Sequence, residues 1–211
     1  MSWLFLIAGV ALILVVFLDA LWTTLWVDGG AGSLSGRLST WIWRGARAVF
    51  GNGRRHRLLS LFGPLIIFLT LAMWILLLWA GWVLVFAAGT DALLQAHDKT
   101  PADWPARIYF VGYMMFSAGN GDFAPNGGGW QIAAALTNGT GMVLVTLALT
   151  YLISTVSAVV KKRGFASEVT GLGIAAETFV ENGWNGRDFR ALDLPLAGMS
   201  STLSDLAQRY D

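Results

Sequence analysis

Two stretches of the chain carry no charge over lengths that matter. Leu65 to Ala88 is 24 uncharged residues and Ile132 to Val160 is 29, while a bilayer core needs about 20 residues of helix. Each predicts a spanning helix. Trp3 to Leu18 is uncharged as well, Asp19 interrupts the run and Ala20 to Val27 resumes it, so a third span of about 25 residues is expected. No Lys or Arg precedes it, whereas a secretory signal opens on a basic region; the expectation is a retained helix. Between the first two spans, Leu34, Leu38, Trp41, Ile42 and Val49 follow helical spacing, with Arg37, Arg44 and Arg47 mostly on other faces. That spacing fits a helix lying in the membrane interface. The alternative is a solvated loop whose arginines only set topology, and Gly36 and Gly45 would each weaken a helix by about 1 kcal/mol.

Composition agrees with the spans. Hydrophobic residues make up 55% of the 211 and charged residues 13%, against roughly 25% charge in a soluble domain. A net charge of +1 gives no reason to expect a nucleic-acid partner. No Cys and two His leave no disulfides, no thiolate metal site and little scope for an imidazole cluster. No Ser-base constellation falls within the spans, so the chain is not expected to be an enzyme. Arg37, Arg44, Arg47, Arg54, Arg55 and Arg57 follow the first span, and Lys161-Lys162-Arg163 follows the last. The positive-inside rule puts both clusters in the cytoplasm of a prokaryotic plasma-membrane protein. The N-terminus is then outside, with Asp91, Asp98 and Asp103, and the C-terminus is cytoplasmic.

Between the second and third spans, Trp104-Pro105 opens the segment "WPARIYFVGYMMF". Asp103 is a candidate N-cap, Pro105 suits the first turn, and Phe116 closes it. Thirteen residues make roughly 20 Å of helix, too short to span. A re-entrant half-helix satisfies the topology, followed by the loop "SAGNG" climbing back out. Irregular backbone at membrane depth is tolerated where protein buries it or where it lines a watery cavity. Gly119 and Gly121 permit the positive φ that aims successive carbonyls one way, and the helix C-terminus adds partial negative charge that favours cations. One chain supplies one loop, so a ring of carbonyls needs several chains, most simply four about a cyclic axis.

The order of short helix, "SAGNGDFAP" and long spanning helix resembles the pore module of the potassium-channel superfamily, whose filter reads Thr-Val-Gly-Tyr-Gly-Asp. The resemblance covers about residues 62 to 163. It sets Ser117 at the Thr position, Ala118 at the Val, and Gly119, Asn120 and Gly121 at Gly-Tyr-Gly. Asp122 takes the place of the family's Asp at the outer mouth. Tyr109-Phe110 falls where many members have Tyr-Phe, and Gly141 where the inner helix often has its hinge. The resemblance implies two spans with a re-entrant pore helix and filter loop between them, assembled as a homotetrameric pore; with the extra helix at Trp3 to Val27, to which the resemblance assigns no role, the expected fold is an all-α membrane protein of three transmembrane helices. No cofactor is implied; the permeant ion is a monovalent cation, potassium first and sodium second, held by Ser117, Ala118, Gly119 and Asn120. Asn120 stands where the family has an aromatic packed behind the filter, and Phe116 where it has a second Thr. These departures motivate a weakly selective sodium/potassium channel as the first alternative. A non-conducting scaffold or sensor with a pore-like fold is the second.

Residues 1–28 form the extra N-terminal helix, 29–61 the basic loop or interfacial helix, 62–163 the pore module and 164–211 a cytoplasmic tail. Leu203 and Leu206 suggest one short helix near Ser201 to Tyr210. A carboxylate in a spanning helix is a functional candidate by default, yet Asp19 lies near the cytoplasmic end, within reach of water. Gly141 serves either as a hinge or as a point of close helix packing, and Gly139 eases both. Asn138-Gly139-Thr140 matches a glycosylation acceptor but falls inside a predicted span. Trp22, Trp26, Trp82 and Trp104 are expected as interface anchors or packing residues. Lys161-Lys162-Arg163 marks the inner surface, with anionic-lipid binding as a secondary role. Gly171-Leu172-Gly173 has neither the strand nor the third glycine of a nucleotide fingerprint. No spanning helix is Arg-rich, so no intrinsic voltage sensor is expected.

Overall fold

The structure, a computed structural model, describes residues 2–25, 30–50, 62–119, 121–173 and 176–207. Helix α1 spans Trp3–Leu25, α2 Ser33–Phe50 and α3 Phe62–Ala87. α1, α3 and the later helix α5, Gly128–Leu172, are long and apolar enough to cross a membrane. Trp26, Arg54, Arg55 and Arg57 lie outside the described residues. α1 and α3 run antiparallel. The Ser2 amide donates to the Ala88 carbonyl at 2.8 Å, Gly9 lies against Gly81 and Val85, and Asp19 meets Trp74. A Cβ on Gly9 would sit 2.6 Å from the Gly81 carbonyl oxygen, and one on Gly81 would sit 2.8 Å from Ile13 Cγ1. Small residues at the crossing let two apolar helices gain backbone-to-backbone packing that lipid cannot supply.

Beyond α3 the chain forms strand β1, Leu93–Gln95, then helix α4, Trp104–Met115, then strand β2, Phe123–Pro125. The strands pair antiparallel, Leu93 with Pro125, Leu94 with Ala124 and Gln95 with Phe123. Three-residue strands have no readable period, and the sequence pattern contains no sign of them. α4 opens as its residues predict: Asp103 accepts from the Ala106 amide at 2.9 Å and Pro105 occupies the first turn. Its start lies beside the end of α3, where Arg107 Nη2 donates to the carbonyls of Gly89 and Thr90 at 3.2 and 2.9 Å. A cation there complements the exposed carbonyls of a helix C-terminus. Further along, Phe110 meets Phe86 edge-on at 5.4 Å, and the Ile108 carbonyl accepts from Trp79 Nε1 at 2.9 Å. α4 therefore runs back along α3 from its C-terminal end.

These elements share one core, centred on Trp74, Leu78, Phe86, Phe110, Val111, Met115, Thr137 and Leu144. α5 turns one narrow stripe inward, Ala134, Thr137, Gly141, Leu144 and Ala148, at helical spacing. Its other faces expose Ile132, Leu136, Met142, Val143, Leu149 and Ile153. Residues 1–150 form one compact unit and 151–211 a second. In the second unit α5 continues through Lys161-Lys162-Arg163 to Leu172, past the boundary expected after residue 163. Only Gly164 and, next to its end, Gly171 disfavour a helix there, about 1 kcal/mol each. Helix α6, Ala176–Gly183, a 3₁₀ turn at Arg190–Leu192 and helix α7, Asp193–Ala207, complete it. The tail thus holds more helix than the single short one its leucines suggest. Gly183 packs directly on Leu192, and Lys161 pairs with Asp205 at 3.2 Å on the surface.

Candidate functional site

α4 ends in a way its sequence does not advertise. Phe116 closes the helix, the Ser117 amide donates to Met114 O at 3.1 Å and the Ala118 amide to Tyr113 O at 3.0 Å. This pair of bonds is a Schellman motif, which needs a residue in the left-handed region just past the helix. Glycine usually fills that place; here it is Ser117, with φ of 56°. Gly119 has φ of 69°, so φ is negative at Phe116 and positive at Ser117 and Gly119. Gly121, expected to share that conformation, does not have positive φ. The loop obtains its left-handed residues at Ser117 and Gly119 instead. Asn120 lies outside the described residues.

Ser117 Oγ donates to Asn138 Oδ1 of α5 at 3.2 Å. In the sequence Asn138 reads only as part of a glycosylation pattern that falls inside a span. The partners are 21 positions apart, and no local signal carries the contact. The carbonyl of Met115 rests directly on Gly141, where a Cβ would also lie 2.6 Å from Met115 Cγ. Gly141 is thereby a packing contact: its missing side chain is the space that the end of α4 occupies. Gly139 has nothing within 4 Å of a built Cβ. Asn138 and Gly141 stand ten and thirteen residues after the start of α5, roughly 15 and 20 Å along it.

From there the chain returns to the level of the α3 terminus. The Asp122 carbonyl accepts from the Ala96 amide at 2.8 Å, and Phe123 then enters the ladder with β1. Tyr109 approaches the Asp122 carboxylate at 3.5 Å. A cleft of about 480 Å³ beside it is lined by Gln95, His97, Gly121, Asp122 and Phe123. In the adjacent turn, hydrogen bonds from the Thr100 amide and hydroxyl hold the Asp98 carboxyl below its ordinary range. Ser117, Ala118, Gly119, Gly121 and Asp122 are all exposed. Among the described residues, no hydrogen bond reaches the carbonyls of Ser117, Ala118 or Gly119. The structure thus brings Ser117, Ala118, Gly119, Gly121 and Asp122 into one strand of loop, with Gly141 beneath its start.

Asp19 forms a second constellation. Far from reaching water, it is 4% exposed. Its carboxylate accepts from the Leu34 amide at 2.7 Å, from the Ser35 amide at 3.2 Å, from Ser35 Oγ and from Trp74 Nε1 at 2.9 Å. The Leu34 and Ser35 amides belong to the first turn of α2, whose N–H groups have no partner within the helix. Asp19 is an N-cap supplied by a different helix, and its negative charge suits that end of the dipole. Thr23 Oγ1 accepts from the Gly32 amide at 2.9 Å beside it. One carboxylate therefore ties α1, α2 and α3 together. Of the tryptophans, Trp22 and Trp104 are about half exposed, whereas Trp82 is buried and donates to Thr140 Oγ1 at 2.9 Å.

Three long apolar helices around a largely helical core define an all-α, multi-pass membrane protein. The chain is 44% identical over 207 residues to a protein of Bacillus subtilis (strain 168) named "Uncharacterized membrane protein YdjJ". The match takes in 98% of this chain and 60% of that one, so the chain spans about three-fifths of its relative's length. No family model matches the chain, and no solved structure matches it.

Proposed function

We propose that the chain is a cation channel: a homotetramer in a prokaryotic plasma membrane, conducting potassium, with its N-terminus outside and its C-terminus in the cytoplasm. The observation that carries this reading is the run of carbonyls at Ser117, Ala118 and Gly119 that accept no hydrogen bond among the described residues, beside a point roughly 15–20 Å along a helix long and apolar enough to span. Irregular backbone at that depth must be covered by protein or face a watery cavity, and a single protomer leaves it bare. Four copies about an axis satisfy the requirement, with α4 as a re-entrant helix aiming its C-terminal partial charge at the ion. Ions shed water at the outer mouth beside Asp122, pass the carbonyls of Ser117 to Asn120 by knock-on between adjacent sites and leave past Ser117. The hydroxyl of Ser117, bonded to Asn138 in the protomer, lies at the inner end of this row. A bend of α5 at Gly141 would shift the surface on which Met115 rests and so couple the inner helix to the filter.

Flux of potassium and sodium into liposomes reconstituted with the full chain tests the proposal. Gly119→Ala places a side chain at φ of 69°, a left-handed conformation that costs about 1–2 kcal/mol, in every copy of the ring. The expected result is loss of flux with the oligomer intact. Unchanged flux in Gly119→Ala, or no flux from the parent protein, refutes the placement of the filter.

A further inference from the structure

α2 has two opposed faces, and they differ from the division its sequence pattern suggests. Ser35 and Ala46 are buried against the rest of the chain, with Leu38, Ser39 and Ile42 half-buried between them. On the opposite side Arg37, Trp41, Arg44 and Arg47 are exposed at spacings of four, three and three, an arc of roughly 120° at 3.6 residues per turn. Trp41 leaves the leucine face where its spacing put it and stands 72% exposed among arginines. Arg47 lies over the Trp43 ring at 5.3 Å. Among the described residues no carboxylate pairs with Arg37, Arg44 or Arg47, and residues 29–57 contain no acid at all.

The position of this stripe is fixed by chemistry on the other face. Asp19 holds the first turn of α2, and Asp19 stands sixteen residues after Trp3 on α1, roughly 24 Å along the helix. That is near the far side of a hydrocarbon core of about 30 Å. α2 is therefore pinned at the level where headgroups begin, presenting arginines and the indole of Trp41. Indoles favour that interface, and guanidinium groups bind phosphate bidentately. We propose that Arg37, Trp41, Arg44 and Arg47 form a docking surface for anionic phospholipid, with Asp19 as the residue that positions it. The inference does not depend on ion conduction. It gives α1 a role: α1 carries the carboxylate that sets an anionic-lipid anchor against the outer helix of the bundle.

The test exploits the absence of Cys from the chain. Full-length Thr40→Cys, on the exposed face, carries a nitroxide and is reconstituted into phosphatidylcholine vesicles with or without phosphatidylglycerol. Each basic residue near an anionic surface contributes about 1 kcal/mol, so three arginines shift the ratio of docked to undocked helix by about 100-fold. With phosphatidylglycerol, collisions with oxygen rise and collisions with an aqueous nickel chelate fall. The shift shrinks in 1 M salt, where the Debye length is about 3 Å. Arg37→Lys, Arg44→Lys and Arg47→Lys together retain it, and the corresponding glutamine triple, checked for an unchanged melting profile, loses it. Glycerol 3-phosphate added to phosphatidylcholine vesicles leaves the label unmoved, separating a lipid surface from a free phosphate. Equal accessibility of the parent label in both vesicle types overturns the proposal, as does a glutamine triple that responds like the parent. So does a label moved by glycerol 3-phosphate.

Discussion

Gly141→Ala perturbs the point where α5 supports the end of α4. The added Cβ would press on the Met115 carbonyl oxygen and sit 2.9 Å from its carbonyl carbon, where ordinary contact begins at 3.4 Å. These are backbone atoms at the C-terminal end of a helix, so relief requires at least the difference, 0.5 Å, of movement in α4 rather than a rotamer change. Overpacking of this kind costs about 1–3 kcal/mol, and the backbone target puts it toward the upper end. Ala gains about 0.8–1 kcal/mol of helix propensity over Gly, which partly offsets the clash. Gly139→Ala, two residues away with nothing within 4 Å, receives the same propensity gain without the clash. The difference between the two variants therefore isolates the contact, about 1–3 kcal/mol, or several degrees in melting midpoint at about 2–4 °C per kcal/mol. Thermal unfolding of the two purified variants under one condition measures it. In reconstituted flux, Gly141→Ala should fall well below Gly139→Ala, because the displaced Met115 is followed directly by the loop. Equal melting midpoints for the two variants would refute the packing assignment of Gly141.

Asp19→Ala removes the acceptor for the Trp74 indole, the Ser35 hydroxyl and two first-turn amides of α2. The expected loss is about 3 kcal/mol or more in thermal unfolding; a loss within the scatter of surface substitutions contradicts the cap. Asp19→Asn, which keeps one oxygen acceptor, should recover part of it. Gly9→Val forces a branched side chain against the Gly81 carbonyl and should lower stability by about 1–3 kcal/mol, measured the same way; a neutral result would mean that α1 and α3 do not cross there. Ser117→Gly replaces a non-glycine at φ of 56° and should stabilise the end of α4 by about 1 kcal/mol, unless the Asn138 bond outweighs the strain. Asn138→Ala alone separates those two effects in the same melting assay.

The three long helices were legible because an apolar stretch long enough to cross a bilayer is itself the physical requirement, and a single Asp19 does not break it. The start of α4 was legible for a similar reason: a capping Asp and a first-turn Pro act within three residues of one another. What escaped the sequence depends on distant partners. Asp19 finds Leu34, Ser35 and Trp74 at separations of 15, 16 and 55 residues, and nothing local distinguishes a carboxylate with four donors from one reaching water. The pairing of β1 with β2 escaped because strands of three residues show no alternation. Ser117 in the left-handed region was not anticipated, since glycine is the residue that normally signals it; Gly121 carried the signal without the conformation. The continuation of α5 past Arg163 shows that the end of a hydrophobic run marks where a membrane ends, not where a helix does.

The central claim, that the loop after α4 forms a cation filter, is tested most directly by reversal potentials of the purified chain in planar bilayers with potassium on one side and sodium on the other. The account predicts a cation current whose reversal potential favours potassium and which disappears in Gly119→Ala. Equal permeability of the two ions would contradict the potassium assignment, and no current from a correctly assembled protein would contradict the channel itself.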